Sequence, residues 1–327
     1  MKKLYILIGI VLFLQHFAFS QISGTKTVGA TGADYPTLTS IAAALNASGV
    51  DGPLVIKLIN TYSSAGETFP IVFNHIPGTS ATNTIILKPD VSVSPVITGS
   101  NYYTIIRFIG TDYFTIDGSN NSSNSRDLTI INSRAAIFSK SGIELLSVSA
   151  AEANTNITIK NCNIEGSSAY DQYSICGIRI CAFDESTASE YPNTNISITN
   201  NDIHTFMNGV FYYGCSSSLD QNVTISNNIL GSATDAEKLE MRGIYAANIN
   251  GLSVSGNRIY GFRTQRTVHL KGVDITENIS ASEINNNVIY SANTDLAGAS
   301  GIYLEATTTA SNLSIYNNTN WVSPLLI

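Results

Sequence analysis

The chain has 327 residues, a formal net charge of −7 and only 13% charged side chains, against 43% hydrophobic ones. Setting aside Lys2 and Lys3, the 17 basic residues become 15 against 24 acidic, a charge of −9 for the remainder. An acidic chain without a basic run excludes an electrostatic footprint for nucleic acid or for an anionic membrane surface.

Residues 1–20 have the tripartite form of an export signal. Lys2 and Lys3 precede an apolar run from Leu4 to Leu14, and Ala18-Phe19-Ser20 offers a cleavage site before Gln21. That run is too short for a spanning helix, no later stretch is long and apolar enough, and no cysteine near the cut offers a lipid anchor. The expectation is a secreted or surface-held chain without membrane insertion. The remainder divides into a cap with the first strands over 21–110 and a repeat region over 111–327.

Residues 22–38 are polar and Gly-rich. Ser40–Asn46 then reads as a short helix with a hydroxyl N-cap and Ile41, Ala44 and Leu45 on one face, suited to covering the open end of a sheet. Strand-like runs follow at Leu54–Ile59, Ile71–Phe73, Thr84–Leu87, Val96–Thr98 and Thr104–Ile109, separated by turn signals such as Asp51-Gly-Pro53 and Pro77-Gly78.

From Phe114 onward a phrase recurs. Asn195-Ile-Ser-Ile-Thr-Asn-Asn-Asp-Ile203 has relatives beginning at Asn156, Asn222, Gly251, Ala281 and Asn312, with successive starts 39, 27, 29, 30 and 31 residues apart. A second phrase, Gly-(Ile/Val)-x-apolar, recurs at Gly142, Gly177, Gly209, Gly243, Gly272 and Gly301. Periods of this length made of short alternating strands describe a solenoid. Sparse Leu and the single Trp321 exclude leucine-rich repeats and propeller blades. The fold class expected is all-β, a right-handed parallel β-helix of about nine or ten coils stacked ~4.8 Å apart.

In that fold Ile196, Ile198 and Ile203 point inward and stack on Ile157, Ile159 and Ile164, while Ser197 and Thr199 face outward. Asn200 and Asn201 suit the bend, where stacked asparagines can form an amide ladder. The four cysteines are Cys162, Cys176, Cys181 and Cys215. Either Cys181 and Cys215 pair between adjacent repeats or the thiols stay free and buried in the stack.

These phrases resemble the parallel β-helix repeats of the pectate-lyase-like superfamily. Tyr35-Pro-Thr-Leu38, Thr115-Ile-Asp-Gly118 and the Asn-Ile-Thr-Ile-x-Asn units carry the resemblance, and the whole mature chain is similar to large bacterial exported surface proteins. The resemblance implies polysaccharide lyases, glycoside hydrolases, esterases, adhesins or proteins without activity. Of the hydrolase blocks only Asn293-Thr-Asp295 is present, without its companions. A lyase would need a Lys or Arg base and often calcium; otherwise no cofactor is implied.

Two places differ between coils and so are the candidates for function. The position after Gly-(Ile/Val) forms a column expected to face solvent: Glu144, Arg179, Phe211, Tyr245, Asp274 and Tyr303. Of these, Phe211, Tyr245, Asp274 and Tyr303 are the carbohydrate-binding candidates, because sugars are held by aromatic faces plus a few polar groups. Residues 258–271 form the one basic coil, with Arg258, Arg263, Arg266, His269 and Lys271. They could act on an acidic glycan, or simply pair with Asp235, Glu237 and Glu240 in the preceding loop. No metal site is legible. The chain closes on Trp321-Val-Ser-Pro-Leu-Leu-Ile327 without a polar cap, so the last coil is expected to be covered by a partner or a further segment. The expected function is non-catalytic binding of an extracellular polysaccharide, or adhesion. The alternatives are a lyase or hydrolase of acidic glycans and a structural spacer.

Overall fold

The computed structural model describes residues 21–134, 141–149, 153–167, 174–182, 184–260, 262, 269–291, 298–305 and 309–322. Every pairing among its 24 strands is parallel, and from Ile85 onward each full coil contributes strands to three faces. The first face carries the Asn-Ile-Ser-Ile phrase, including Thr155–Lys160, Thr194–Thr199 and Asp220–Ser226. The third face follows the Asn pair, as in Cys162–Glu165 and Asp202–His204. The second face carries the Gly phrase, as in Ser141–Leu146, Ser174–Cys181 and Phe206–Tyr213. Two long strands, Arg242–Ser255 and Leu270–Asn285, turn the corner from the second face to the first and join them into one sheet of 16 strands.

The third face has eight strands, so the described residues make a parallel β-solenoid of about eight turns. The lower number than the sequence period implies has a simple cause. Thr155 pairs with Asp112 below and Thr194 above, so loops lengthen those two coils to 43 and 39 residues.

The interior is a set of aliphatic columns in register. Ile56, Leu87, Ile116, Ile159, Ile198, Ile225, Val254 and Ile284 stack through the first face, and all are fully buried. Ile130, Ile164, Ile203, Leu230, Ile259 and Ile289 do the same on the third. Burying such a side chain contributes about 1.5–3 kcal/mol, and the stack repeats that gain in every coil.

The Asn pair divides its labour. Asn161, Asn200, Asn227, Asn286 and Asn317 hold φ of 52–59°, the left-handed region asparagine tolerates. The second asparagines, Asn201, Asn228, Asn257, Asn287 and Asn318, form the expected ladder. From Asn201 to Asn287 each Nδ2 donates to the Oδ1 of the next coil at 2.9–3.1 Å and to a carbonyl of the coil before at 2.8–2.9 Å. Asn318 Nδ2 donates to Ile284 O at 2.8 Å and to Tyr316 O at 3.0 Å. Each Oδ1 from Asn228 onward also accepts the backbone N–H of the preceding asparagine. The interior polar groups of the bend are thereby satisfied coil by coil.

The N-terminal helix spans Leu38–Ser48, two residues earlier than Ser40 and two beyond Asn46. Its N-cap is Thr37, whose hydroxyl accepts from Ser40 N–H, so Ser40 is the capping partner three residues on. Leu38, Ile41, Ala42 and Leu45 are its buried residues. The Glu67 carboxylate, from the next coil, accepts Leu38 N–H and Thr39 N–H at 2.7 Å each, a charge placed where the helix dipole favours it. The helix lies on Ile71–Phe73, the end strand of the second face, and Asn46 finishes that edge. Its Nδ2 donates to Val72 O and its Oδ1 accepts Asn74 N–H. The expectation of a covering helix holds.

Candidate functional site

The second face aligns the column that the Gly phrase marks. Arg107, Glu144, Arg179, Phe211, Tyr245, Asp274 and Tyr303 are successive register partners. The expectation that they face solvent is corrected for four of them. Glu144 and Asp274 are 0% exposed, Arg179 1% and Phe211 4%. Side-chain pairing within the column and with adjacent loops removes them from water.

At the lower end the burial is ionic. Glu144 Oε2 accepts from Arg107 Nε at 2.5 Å, Glu144 Oε1 pairs with Arg179 Nη2, and Arg179 Nη1 reaches Glu185 at 3.2 Å from the loop outside. Burial lowers the Arg107 pKa from its ordinary value. Higher up the burial is aromatic. Phe211 and Tyr245 stack with centroids 4.4 Å apart and ring planes 5° from parallel, and Tyr213 meets both rings edge-on. Tyr245 Oη accepts from the Thr276 hydroxyl at 2.8 Å, and burial raises its phenol. Tyr213 donates to Glu277 at 2.5 Å; burial first, and that carboxylate second, raise its phenol as well.

At the upper end Asp274 is held by two cations. Arg242 Nε donates to it at 2.7 Å and Lys271 Nζ at 3.0 Å to each oxygen. The same ammonium lies 3.9 Å from the centroid of Tyr303, and Arg242 lies 5.4 Å over Tyr245. His269 is exposed, shares a hydrogen bond of 2.8 Å with the Ser300 hydroxyl, and sits 5.6 Å from Tyr303 ring to ring. Tyr213, Tyr245, Arg242, Lys271, Glu277 and Tyr303 are each half-buried. They and His269 form a continuous patch of aromatic surface and charge.

The basic coil is not one cluster. Lys271 and His269 belong to this patch, whereas exposed Arg258 is on the third face with its guanidinium 5.4 Å over Tyr260. Arg263 and Arg266 lie outside the described residues, as do Asn293 and Asp295. Lys271 pairs with Asp274 of its own strand rather than with the preceding acidic loop. Cys162, Cys176, Cys181 and Cys215 are all buried and in the thiol form, without a Cys181–Cys215 link. Cys181 Sγ sits 3.4 Å from Arg179 Nη1, while Cys215 Sγ, in the loop after the next coil's strand, donates to Glu190 O. Among the described residues no three His, Cys, Asp or Glu side chains are grouped as metal ligands, and no helix is long and apolar enough to cross a membrane.

Sequence reasoning missed Arg242, Thr276 and Glu277. Arg242 was legible in principle, since it immediately precedes Gly243 as Lys271 precedes Gly272. Glu277 was not, because it enters the patch through an irregular backbone at φ 55°.

The glycines themselves have a packing cause. A Cβ on Gly142, Gly177, Gly243 or Gly272 would lie 2.1–2.7 Å from the Cγ2 of Ile164, Ile203, Ile259 or Ile289. The Gly phrase therefore records where third-face isoleucines press on the second-face backbone.

No protein-family model and no curated protein matches the chain. Solved structures similar to it include a pectin methylesterase from Aspergillus niger, at 13% identity and TM-score 0.46, covering 92% of this chain and 87% of that one. An alginate lyase from a Paenibacillus species has 13% identity and TM-score 0.42, covering 90% and 99%. PfbA, a surface adhesin of Streptococcus pneumoniae, has 12% identity and TM-score 0.38, covering 86% of each chain. At these values nothing about chemistry passes from those proteins to this one. What the molecule is rests on its own register, which is that of a parallel β-solenoid.

Proposed function

We propose that the chain is an exported β-solenoid that binds an extracellular polysaccharide along its second face and does not break it. The observation that carries this reading is the half-exposed patch of Tyr213, Tyr245, Lys271 and Tyr303 with His269 beside it. From Phe211 to Tyr303 the column climbs three coil spacings, about 14 Å, which is the span of a short oligosaccharide. Aromatic rings supply stacking surface for sugar faces, and Arg242, Lys271 and Glu277 supply orienting polar groups. The same geometry supports binding over proton abstraction. Lys271 is engaged by both oxygens of Asp274 and lies against Tyr303, so the ammonium is committed on two sides.

The test is a screen of the purified chain against neutral, uronate-containing and sulfated polysaccharides, with retention and product formation read together. Retention without turnover is the expected result. Release of unsaturated or reducing ends would replace this reading by the lyase or hydrolase alternative.

A further inference from the structure

A pocket of about 250 Å³ opens on the first face near the N-terminal end, well away in register from the second-face patch. Its lining includes Lys57, Lys88, Val91, Asn120, Asn121 and Ser122. Lys57 and Lys88 are direct register partners on adjacent parallel strands. Like charges stacked one strand apart oppose each other, so a folded protein keeps such a pair only with compensation. One carboxylate is at hand. Asp90 Oδ1 accepts from Lys57 Nζ at 2.9 Å, and that bond, helped by the charges of Lys57 and Lys88, holds the Asp90 carboxyl below its ordinary value. Lys88 Nζ donates instead to the neutral Ser122 hydroxyl at 3.2 Å. The carboxylate of the next coil, Asp117, is engaged by Lys160 at 3.2 Å, by Asn161 Nδ2 at 2.7 Å and by Ser119 N–H.

The opposite wall is preformed. Asn120 donates through Nδ2 to Val93 O and through its N–H to Asp127, tying the loop to its own base and to the coil below. Asn121 Oδ1 accepts from Ser123 N–H and from the Ser119 and Ser125 hydroxyls, and among the described residues its Nδ2 donors are not used. Two ammoniums, an amide and a hydroxyl thus converge with a single carboxylate, a locally positive pocket in an acidic chain.

We propose that this pocket binds an oxyanion, a carboxylate or a sulfate of the kind that acidic sugars carry. The anion would take the Lys88 ammonium from Ser122 and relieve its opposition to Lys57. The site is on a different face from the patch above and stands or falls separately from it.

The experiment is a titration of the isotope-labelled full chain at low ionic strength with glucuronate, inorganic sulfate, glucose and chloride, followed by amide NMR shifts. Saturable shifts at Lys57, Lys88, Asn121 and Ser122 with glucuronate or sulfate, and none with glucose, are expected. Saturation by glucuronate identifies the carboxylate source, and saturation by sulfate alone the sulfate source. Lys88→Ala should weaken binding at least tenfold. Lys88→Gln, which keeps the stem packed and can still bond Ser122, should do the same with an unchanged melting temperature. The proposal is overturned if neither anion saturates, if chloride at equal ionic strength gives the same shifts, or if Lys88→Gln titrates like the parent chain.

Discussion

Asn193 donates its Nδ2 hydrogen to Asp220 Oδ2 at 2.9 Å, so a ladder that runs as asparagine from Asn154 to Asn193 ends on a buried carboxylate. Asp220 also accepts from Tyr212 Oη at 2.8 Å and from Cys215 N–H at 2.9 Å. Burial outweighs these bonds and lifts its pKa to about 6. A carboxyl raised in the folded state holds its proton more tightly than in the unfolded chain. The resulting stability is complete below about pH 4 and is lost as pH rises through about 6. Asp220→Asn removes the titration, so the stability difference should move in the variant's favour by roughly 2–3 kcal/mol between pH 4 and pH 7. Urea unfolding of both chains across that range checks it. A stability difference that does not grow with pH contradicts the assignment.

The bend ladder that includes Asn228 and the outer ladder of Asn156, Asn195 and Asn222 should respond differently to alanine. Asn228 makes four buried bonds: its Oδ1 accepts twice from Asn201, and its Nδ2 donates to Asn257 and Ile198 O. Asn228→Ala should therefore cost about 3 kcal/mol or more, from several orphaned groups at 1–3 kcal/mol each. Asn222, in the left-handed region at φ 57°, is exposed and donates once, to Asn195. Asn222→Ala should cost about 1 kcal/mol, since Ala281 already occupies the equivalent position at φ 47°. Equal losses in denaturant midpoint would refute the distinction.

Glycine substitutions separate packing from backbone conformation. A Cβ at Gly243 would meet Gly272 O and Ile259 Cγ2 at 2.6 Å each, so Gly243→Ala should cost about 3 kcal/mol or more through overpacking. Gly251 holds φ 80° where Asn156, Asn195 and Asn222 stand in neighbouring coils, and a Cβ there meets the flexible Asn222 Oδ1 at 3.1 Å. Gly251→Asn should be neutral, or stabilising by about 0.5 kcal/mol, by extending the outer ladder. Thermal unfolding of the two variants decides, and a loss at Gly251 as large as at Gly243 would count against the shared register.

How far the sequence could be read follows from which features are periodic. The inward isoleucines and the bend asparagines repeat, and each lies where that pattern places it. The Gly phrase was legible as a column but not as a packing contact, because its cause is Ile164, Ile203, Ile259 and Ile289 on another face. Burial of Glu144 and Arg179 was not legible either. Strand alternation says which face a side chain leaves from, but not that Glu185 arrives from a loop to cover it. Such loops carry no repeat, and the ion pairs they make have no local spacing.

Glu144 offers a test of that buried network. It compensates Arg179 and Arg107 with no exposure of its own, so Glu144→Ala should destabilise by about 3–5 kcal/mol. Glu144→Leu combined with Arg179→Met should recover most of the loss, because the remaining Arg107, 18% exposed, can turn to solvent. A double variant as unstable as the single one would show that the network is not acting as a charge-compensated unit.

Retention of matched variants on the polysaccharide that retains the parent chain tests most directly whether the second-face patch holds it. Tyr303→Ala with His269→Ala removes the more exposed part of the patch, whereas Tyr260→Ala with Tyr290→Ala removes the stacked pair on the third face, centroids 5.5 Å apart. With circular dichroism confirming both as folded, the first pair should lose at least tenfold in retention and the second should keep it. Undiminished retention after loss of Tyr303 and His269 would contradict the account.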